Sequence, residues 1–325
     1  MVKQWGRREF LAAAGGGVGL LAAAACSAPT SPPGNSANNP VTVTHAFGQT
    51  TIPAPPRRVV SAGYTEQDDL LAVGVVPIAV THWFGDQPYA IWPWAADKLG
   101  HAKPVVLNLD NGIAVSQIAG LKPDLIVATN AGLDEQTYQK LSAIAPTIAQ
   151  SDDNAFFEPW KIQAQAIGQA VFRTDQMERL IDAVDAKFIA LGKQHPQFNG
   201  KTVLLLQGQL YRDAALAIMP GWRTEFLTTM GLRIPDSIKE FAVDYRAFVP
   251  RKNIKPVLDS ADVVIWMTEN PDEKAGLLAD PDVTTGQTHH IFTTQDQAGA
   301  IAFSSTLSYP VLADQLAPLI ASALT

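Results

Sequence analysis

The chain has 325 residues, 47% hydrophobic and 17% charged side chains, and a formal net charge of −7 at neutral pH. Residues 1–25 hold three of its 24 basic side chains and one of its 31 acidic ones, so the remainder is more acidic still. That balance argues against nucleic acid as a partner and against adhesion to anionic lipid through charge, while the length beyond residue 40 predicts about two lobes.

The chain begins with a basic run, Gly6 to Leu11 (GRREFL), continues through an Ala/Gly-rich apolar segment, and reaches Cys26 after four alanines. A basic region, an apolar stretch and small residues before a break point form an export signal, one too short to span a bilayer comfortably. Gly15–Gly19 belongs to that segment and follows no strand, so it is not a phosphate loop. The paired arginines resemble a Tat signal, and the residues before Cys26 resemble a lipobox. This resemblance implies an acylated Cys26 that holds the protein at the outer face of the cytoplasmic membrane, in a periplasm-like space. Cys26 is the sole cysteine, which rules out an intrachain disulfide. Ser27–Pro40 is polar and rich in Pro and Gly, and reads as a flexible tether.

From Arg57 onward, strand and helix alternate. Arg57–Gly63 reads as a buried strand, Glu66–Gly74 as a helix and Val75–Thr81 as a strand; Ser116–Leu121 is a helix leading into the strand Lys122–Thr129. The alternation predicts a parallel sheet covered on both faces. The second half restates the first: Gly200–Gln209 mirrors the opening strand, Leu258–Thr268 mirrors Leu121–Asn130, and His289–Thr294 precedes a closing helix over Ser308–Leu324. Between the halves, Met177, Leu180, Ile181, Val184, Phe188 and Leu191 share one helical face. Asp175 and Glu178 predict a capping box at its start, and Pro196 its end. At 1.5 Å per residue this connector is a rod of roughly 30 Å, which should hinge little. The expected division is a signal over 1–25, a tether over 26–40, an α/β lobe over 41–158, a connecting helical segment over 159–196 and a second α/β lobe over 197–325.

In such sheets, ligands bind outside the carboxyl ends of the strands. Residues 81–94 begin at one such end and carry Trp83, Phe84, Tyr89, Trp92 and Trp94. Trp92 and Trp94 stand beside a following helix and are expected in the core; Trp83 and Phe84, next to Gly85 and Asp86, are expected in the cleft wall. The same rule places Tyr64 and Glu66 after the first strand and Asn130 just past the strand Lys122–Thr129. It places Met267, Glu269 and Trp266 at the C-lobe counterpart, with Trp266 readable as cleft or core, and adds Phe303, Ser304 and Tyr309. Arg212 beside Tyr211, Arg223 beside Trp222, and Arg246 supply cations on the C-lobe side. Rings opposite cations suit a large, flat or greasy ligand of modest negative charge. Of the histidines only His82 stands at a strand end, which is too little for a His-rich metal site. No nucleophile elbow, Ser-His-Asp context or H-E-x-x-H is present, so neither catalysis nor a cofactor is expected.

Val43–Val80, with its small hairpin, its strand at Pro56–Val60 and its helix at Asp68–Pro77 (DDLLAVGVVP), resembles the opening of substrate-binding proteins for ferric siderophores, haem and corrinoids. Leu121–Val127 (LKPDLIV), the long helix and Gly231–Asp236 (GLRIPD) match in the same order, and the amino-terminal end is most similar to FecB-like actinobacterial lipoproteins. The resemblance implies an α/β fold of two Rossmann-like lobes joined by a single long connecting helix, the helical-backbone periplasmic binding protein fold. It further implies a cleft ligand delivered to an ABC permease. A ferric siderophore of mycobactin type is the expected guest; haem is the alternative, with His82, Tyr64 or Tyr309 as axial ligand. Glutamates that pair with permease arginines in the family are replaced here by Ser116 and by Lys252 or Ile254. Asp110 or Glu269 then serves in docking, or the ligand passes to another uptake protein, or the domain acts as a surface scaffold or chaperone.

Overall fold

The computed structural model describes residues 39–152, 156–286 and 288–325. The expected export signal, Cys26 and the tether up to residue 38 lie outside them. Alternating Val and Thr build an antiparallel hairpin of β1 (Val41–His45) and β2 (Gly48–Ile52), turned at Gly48 with φ +113°.

Five short strands follow: β3 (Val59–Ser61), β4 (Ala79–Thr81), β5 (Val105–Leu107), β6 (Leu125–Ala128) and β7 (Thr147–Ala149). They pair in parallel in the order β5-β4-β3-β6-β7. β3, β4, β6 and β7 are buried along their whole length, which is why they read as continuous runs rather than alternating ones. Helices α1 (Glu66–Ala72), α2 (Pro93–Leu99), α3 (Val115–Leu121) and α4 (Glu135–Ser142) connect them. The order reverses at β3, which has β4 on one side and β6 on the other. The loops after β3 and β6 therefore flank the crevice at the switch point of the sheet.

The connection to the second sheet is α5 (Trp160–Ala170) and α6 (Thr174–Gln194). α6 buries Met177, Ile181, Val184 and Phe188, the expected stripe. The expected capping box is absent. The helix starts two residues earlier, with Arg173 at the N-cap and no side-chain cap. Phe172 at φ 61° turns the chain, and the Arg173 N–H donates to the Gly168 carbonyl at 2.7 Å. The α5–α6 turn thus supplies the closure by backbone, and Asp175 arrives too late to cap.

The second sheet contains β8 (Val203–Gln207), β9 (Ala214–Ile218), β10 (Ala242–Val243), β11 (Arg246–Pro250), β12 (Val263–Met267) and β13 (His289–Phe292), in the order β10-β11-β9-β8-β12-β13. β8, β12 and β13 are parallel, but β9, β10 and β11 run antiparallel. The second half is therefore not a copy of the first. The link from β8 to β9 is too short for a crossover helix, so the chain can only return beside itself. Helices α7 (Glu225–Thr229), α8 (Arg251–Leu258), α9 (Pro271–Leu278), α10 (Pro281–Thr284) and α11 (Gln295–Phe303) complete this half before the closing helical segment. One apolar core runs from Val59, Leu125 and Val127 through Met177, Ile181 and Phe188 to Val203, Leu205, Val263 and Ile265, so the connecting helices are packed between the sheets. Alternate residues of β8 and β12 (Leu204, Leu206, Val264 and Trp266) fill a separate core on the far face.

Candidate functional site

A cavity of about 320 Å3 lies between the carboxyl ends of β8 and β12 and the loop that follows β4. Gln207, Gly208, Gln209 and Met267 form the strand-end side, and Trp83 and Phe84 the facing wall. Phe157 continues that wall, α11 contributes Ala298, Ile301 and Ala302, and Arg223, Tyr245 and Arg246 close the remaining side.

The wall is a continuous stack of rings. Trp83 lies 5.4 Å from Tyr64 in stacked geometry, 5.0 Å from Phe157, and 4.7 Å from Phe84 edge-on. Phe303 sits buried behind, 5.8 Å from each of Trp83, Trp92 and Trp94. Trp92 and Trp94 stack at 4.9 Å and 8°, away from the cavity, as core members. The stretch 81–94 is thus divided: Trp83 and Phe84, directly after β4, reach the cleft, Tyr89 is exposed outside its lining, and Trp92 and Trp94 at the start of α2 pack inward.

On the other side, the Arg223 guanidinium lies 4.2 Å from the Trp222 ring centre, 4.6 Å from that of Tyr245 and 5.1 Å from that of Phe157. Arg246 lies 4.8 Å over Tyr245. Neither forms an ion pair with a carboxylate among the described residues, and the Arg246 Nε is buried without a hydrogen-bond partner there. Burial, with a smaller push from Arg246, lowers the Arg223 pKa to about 10, so the group stays charged at neutral pH. Two guanidinium groups with no carboxylate partner among the described residues, set among rings at one cavity, have the chemistry to take a flat anionic group. Glu269 and Glu273 stand at the opposite end, where the Glu269 N–H donates to Glu273 Oε2 at 2.7 Å.

Of the residues expected at the site, Trp83, Phe84, Arg223, Arg246, Met267 and Glu269 line the cavity. Tyr64, Trp222 and Phe303 back them without entering its lining. The rest fall elsewhere. Glu66 and Asn130 are fully buried beneath the wall, because α1 begins directly after β3 and turns the carboxylate inward. Glu66 Oε1 accepts from the Asn130 N–H at 2.9 Å, and Asn130 Oδ1 accepts from the Phe157 N–H at 2.8 Å. Tyr211 and Arg212 stack on each other at 5.0 Å in the β8–β9 turn, where left-handed backbone at Arg212 and Asp213 carries them past the strand end. Trp266 is buried on the far face and donates from Nε1 to His290 Nδ1 at 2.9 Å. Strand alternation sends its neighbour Met267 the other way, into the cavity.

His82 faces Asp86 at 3.5 Å, outside the lining, and Tyr309 is buried against Trp160, Phe188 and Phe226. Ser116 and Lys252 are exposed, whereas Ile254 is fully buried. Sequence reasoning missed Phe157 and Tyr245. Their signals were the paired rings Phe156–Phe157 ahead of α5, and the place of Tyr245 beside Arg246. Among the described residues, no group of three or more His, Cys, Asp or Glu side chains is placed to hold a metal ion.

A family profile for periplasmic binding proteins matches residues 59–298. The chain belongs to the periplasmic binding protein family. Relatives of this binding protein include YhfQ of Bacillus subtilis (strain 168), named as an ABC transporter substrate-binding lipoprotein, at 33% identity over 253 residues, 74% of this chain and 73% of that one. YfiY of the same organism, named as a siderophore-binding lipoprotein, is 28% identical over 243 residues, 73% of this chain and 71% of that one. Among solved structures, a periplasmic solute binding protein of Mycobacterium smegmatis is 59% identical, with a TM-score of 0.84 over 88% of this chain and 99% of that one. PiaA of Streptococcus pneumoniae in complex with ferrichrome shares the fold, at a TM-score of 0.66 and 22% identity over 87% of this chain and 98% of that one.

Proposed function

We propose that this periplasmic binding protein captures a ferric siderophore of mycobactin type and passes it to an ABC permease for iron uptake. The observation that carries the reading is the pair Arg223 and Arg246, without a carboxylate partner among the described residues, lining one cavity with Trp83 and Phe84 while Arg223 also packs over Phe157. A flat chelate of modest negative charge meets both requirements: its ring faces stack on the indole and phenyl wall, and its anionic oxygens take the guanidinium groups. A cavity of about 320 Å3 seats the iron-bearing head and leaves a greasy arm to run out of the mouth. The likeness to YfiY, named as a siderophore-binding lipoprotein, and to PiaA in complex with ferrichrome supports the same ligand class. Tat-type export and acylation at Cys26 complete the proposal, keeping the domain near a membrane permease. The protein acts by binding, with no reaction of its own.

The test is a titration of intrinsic tryptophan emission with a ferric mycobactin-type siderophore, a ferric catecholate and haem. Saturable quenching by the first at the lowest concentration is the expected result. A Soret shift with haem, without quenching by either siderophore, moves the assignment to haem.

A further inference from the structure

We propose that Glu66 and Asn130 are positioning residues for the ligand wall: the buried Glu66 carboxylate holds the Thr65 and Asn130 backbones, and Asn130 in turn holds Phe157. The inference rests on the siderophore reading for its ligand, but its geometry stands independently.

The carboxylate occupies the crevice between the ends of β3 and β6, where the strand order reverses. Glycine at position 63 admits it there, because a Cβ would collide with Glu66 Oε1 and with the Asn130 backbone. Four donors converge on its two oxygens. Oε1 accepts from the Asn130 N–H at 2.9 Å and the Thr129 hydroxyl at 3.4 Å; Oε2 accepts from the Thr65 N–H at 3.3 Å and the Ser61 hydroxyl at 3.5 Å. Asn130 then spends its amide on the wall itself. Its Nδ2 donates to Thr65 Oγ1 at 3.0 Å, its Oδ1 accepts from the Phe157 N–H at 2.8 Å, and its backbone carbonyl accepts from the Tyr64 N–H at 3.2 Å. Phe157 is held at φ 61°, a conformation that an unrestrained phenylalanine leaves readily. Both ring-bearing loops therefore hang from one buried acid.

A set of four donors suits an ionised carboxylate, which only accepts. A protonated one must turn at least one donor away, and the longer Oε2 contacts yield first. The Ser61 hydroxyl already has a second acceptor in Gln67 Oε1 at 3.3 Å, so the Thr65 N–H is the contact most affected. Loss of the charge thus loosens the Thr65–Tyr64 loop, which keeps its contacts to Asn130 and Gln163 and whose ring stacks on Trp83. Burial, opposed by these hydrogen bonds, raises the Glu66 pKa to about 7, so both forms exist near neutrality. Of the charged and polar groups nearby, Asp69 of its own helix interacts with it directly, Asp68, Glu158 ahead of α5 and Gln163 of α5 surround Asp69 in turn, and Arg223 lies beyond Phe157.

The experiment follows the dissociation constant for a ferric mycobactin-type siderophore from about pH 6 to about pH 8.5 in the full chain and in Glu66→Gln and Asn130→Ala. Wild-type affinity is expected to fall about tenfold on acidification, with a midpoint near pH 7, as a hydrogen bond to a charged group is lost. Glu66→Gln is expected to bind weakly and without that pH dependence, and Asn130→Ala about tenfold more weakly at every pH. A second readout needs no ligand: the emission of Trp83, taken as the difference between the protein and Trp83→Phe, should shift with the same midpoint and lose that shift in Glu66→Gln. If the emission shifts but no siderophore binds, the wall stands and the siderophore reading fails. If siderophore binds with a flat wild-type pH profile, or if Glu66→Gln keeps the wild-type profile, the positioning role is overturned.

Discussion

Asp68 Oδ2 and Ser305 Oγ lie 2.6 Å apart, joining the first helix of the amino-terminal half to the turn that follows α11. The same carboxylate oxygen accepts from Trp94 Nε1 at 2.8 Å, and the same hydroxyl oxygen accepts from the Ser308 N–H at 2.9 Å. One buried point therefore ties together the ring cluster, α1 and the carboxyl-terminal helices. Ser305→Ala removes the donor to a buried charge and leaves the Ser308 N–H unmet. A loss of about 2 kcal/mol in unfolding free energy is expected, read from denaturant melts at neutral pH; an unchanged midpoint contradicts the role of the contact.

The buried acids of α1 set a pH dependence of stability. Burial raises Glu66 to about 7 and Asp68 to about 6, and raises Asp69 well above its ordinary value. A raised pKa means that the native state holds the proton more tightly than the unfolded chain. The resulting stability is present in full below the unfolded values and is lost as pH rises through the folded ones. Calorimetric melting temperature should therefore rise as pH falls from about 8 to about 5, with a gain on the order of 3 kcal/mol. Asp68→Asn should flatten part of that slope.

Ligand affinity should follow the lining of the cavity. Trp83→Ala and Arg223→Ala are each expected to weaken siderophore binding at least about tenfold in a fluorescence titration. Arg223→Lys should not restore it, because an ammonium cannot stack flat against Trp222, Tyr245 and Phe157. Arg212→Ala, in the outer turn, should bind as the parent does. Equal losses at Arg212 and Arg223 would show that the cavity is not where the ligand sits.

Gly299 lies mid-way along α11, where alanine would ordinarily stabilise a helix by about 1 kcal/mol. Here a Cβ would stand 2.5 Å from Cη2 of Trp92, a fully buried ring stacked on Trp94. Gly299→Ala should instead destabilise by about 1–3 kcal/mol, because the indole has no free volume to enter. Thermal unfolding decides the sign.

Much of the framework was legible without coordinates. The runs that became β3, β6, β8 and β12, the apolar stripe of α6 and the separation of Trp83 and Phe84 from Trp92 and Trp94 all follow from local periodicity and turn chemistry. The antiparallel β9–β11 ladder was not legible, since its runs resemble any short strand and only the length of the returning loop sets their direction. Trp266 and Met267 show the same limit on a smaller scale. Alternation dictates that they point apart, but not which of the two meets the cleft.

What the amino-acid order determined by itself, then, is the set of elements, the alternation that implies two α/β halves, and a pool of rings and cations near strand ends, because hydrophobic period and turn preference act over a few neighbouring residues. The tertiary structure alone decided that Arg223 rather than Arg212 faces the rings, and that Glu66 turns under the wall instead of into the cavity. Those choices depend on strand register, on the exit angle of each loop and on contacts between residues far apart in the chain, such as Asp68 with Ser305, and no local pattern encodes them.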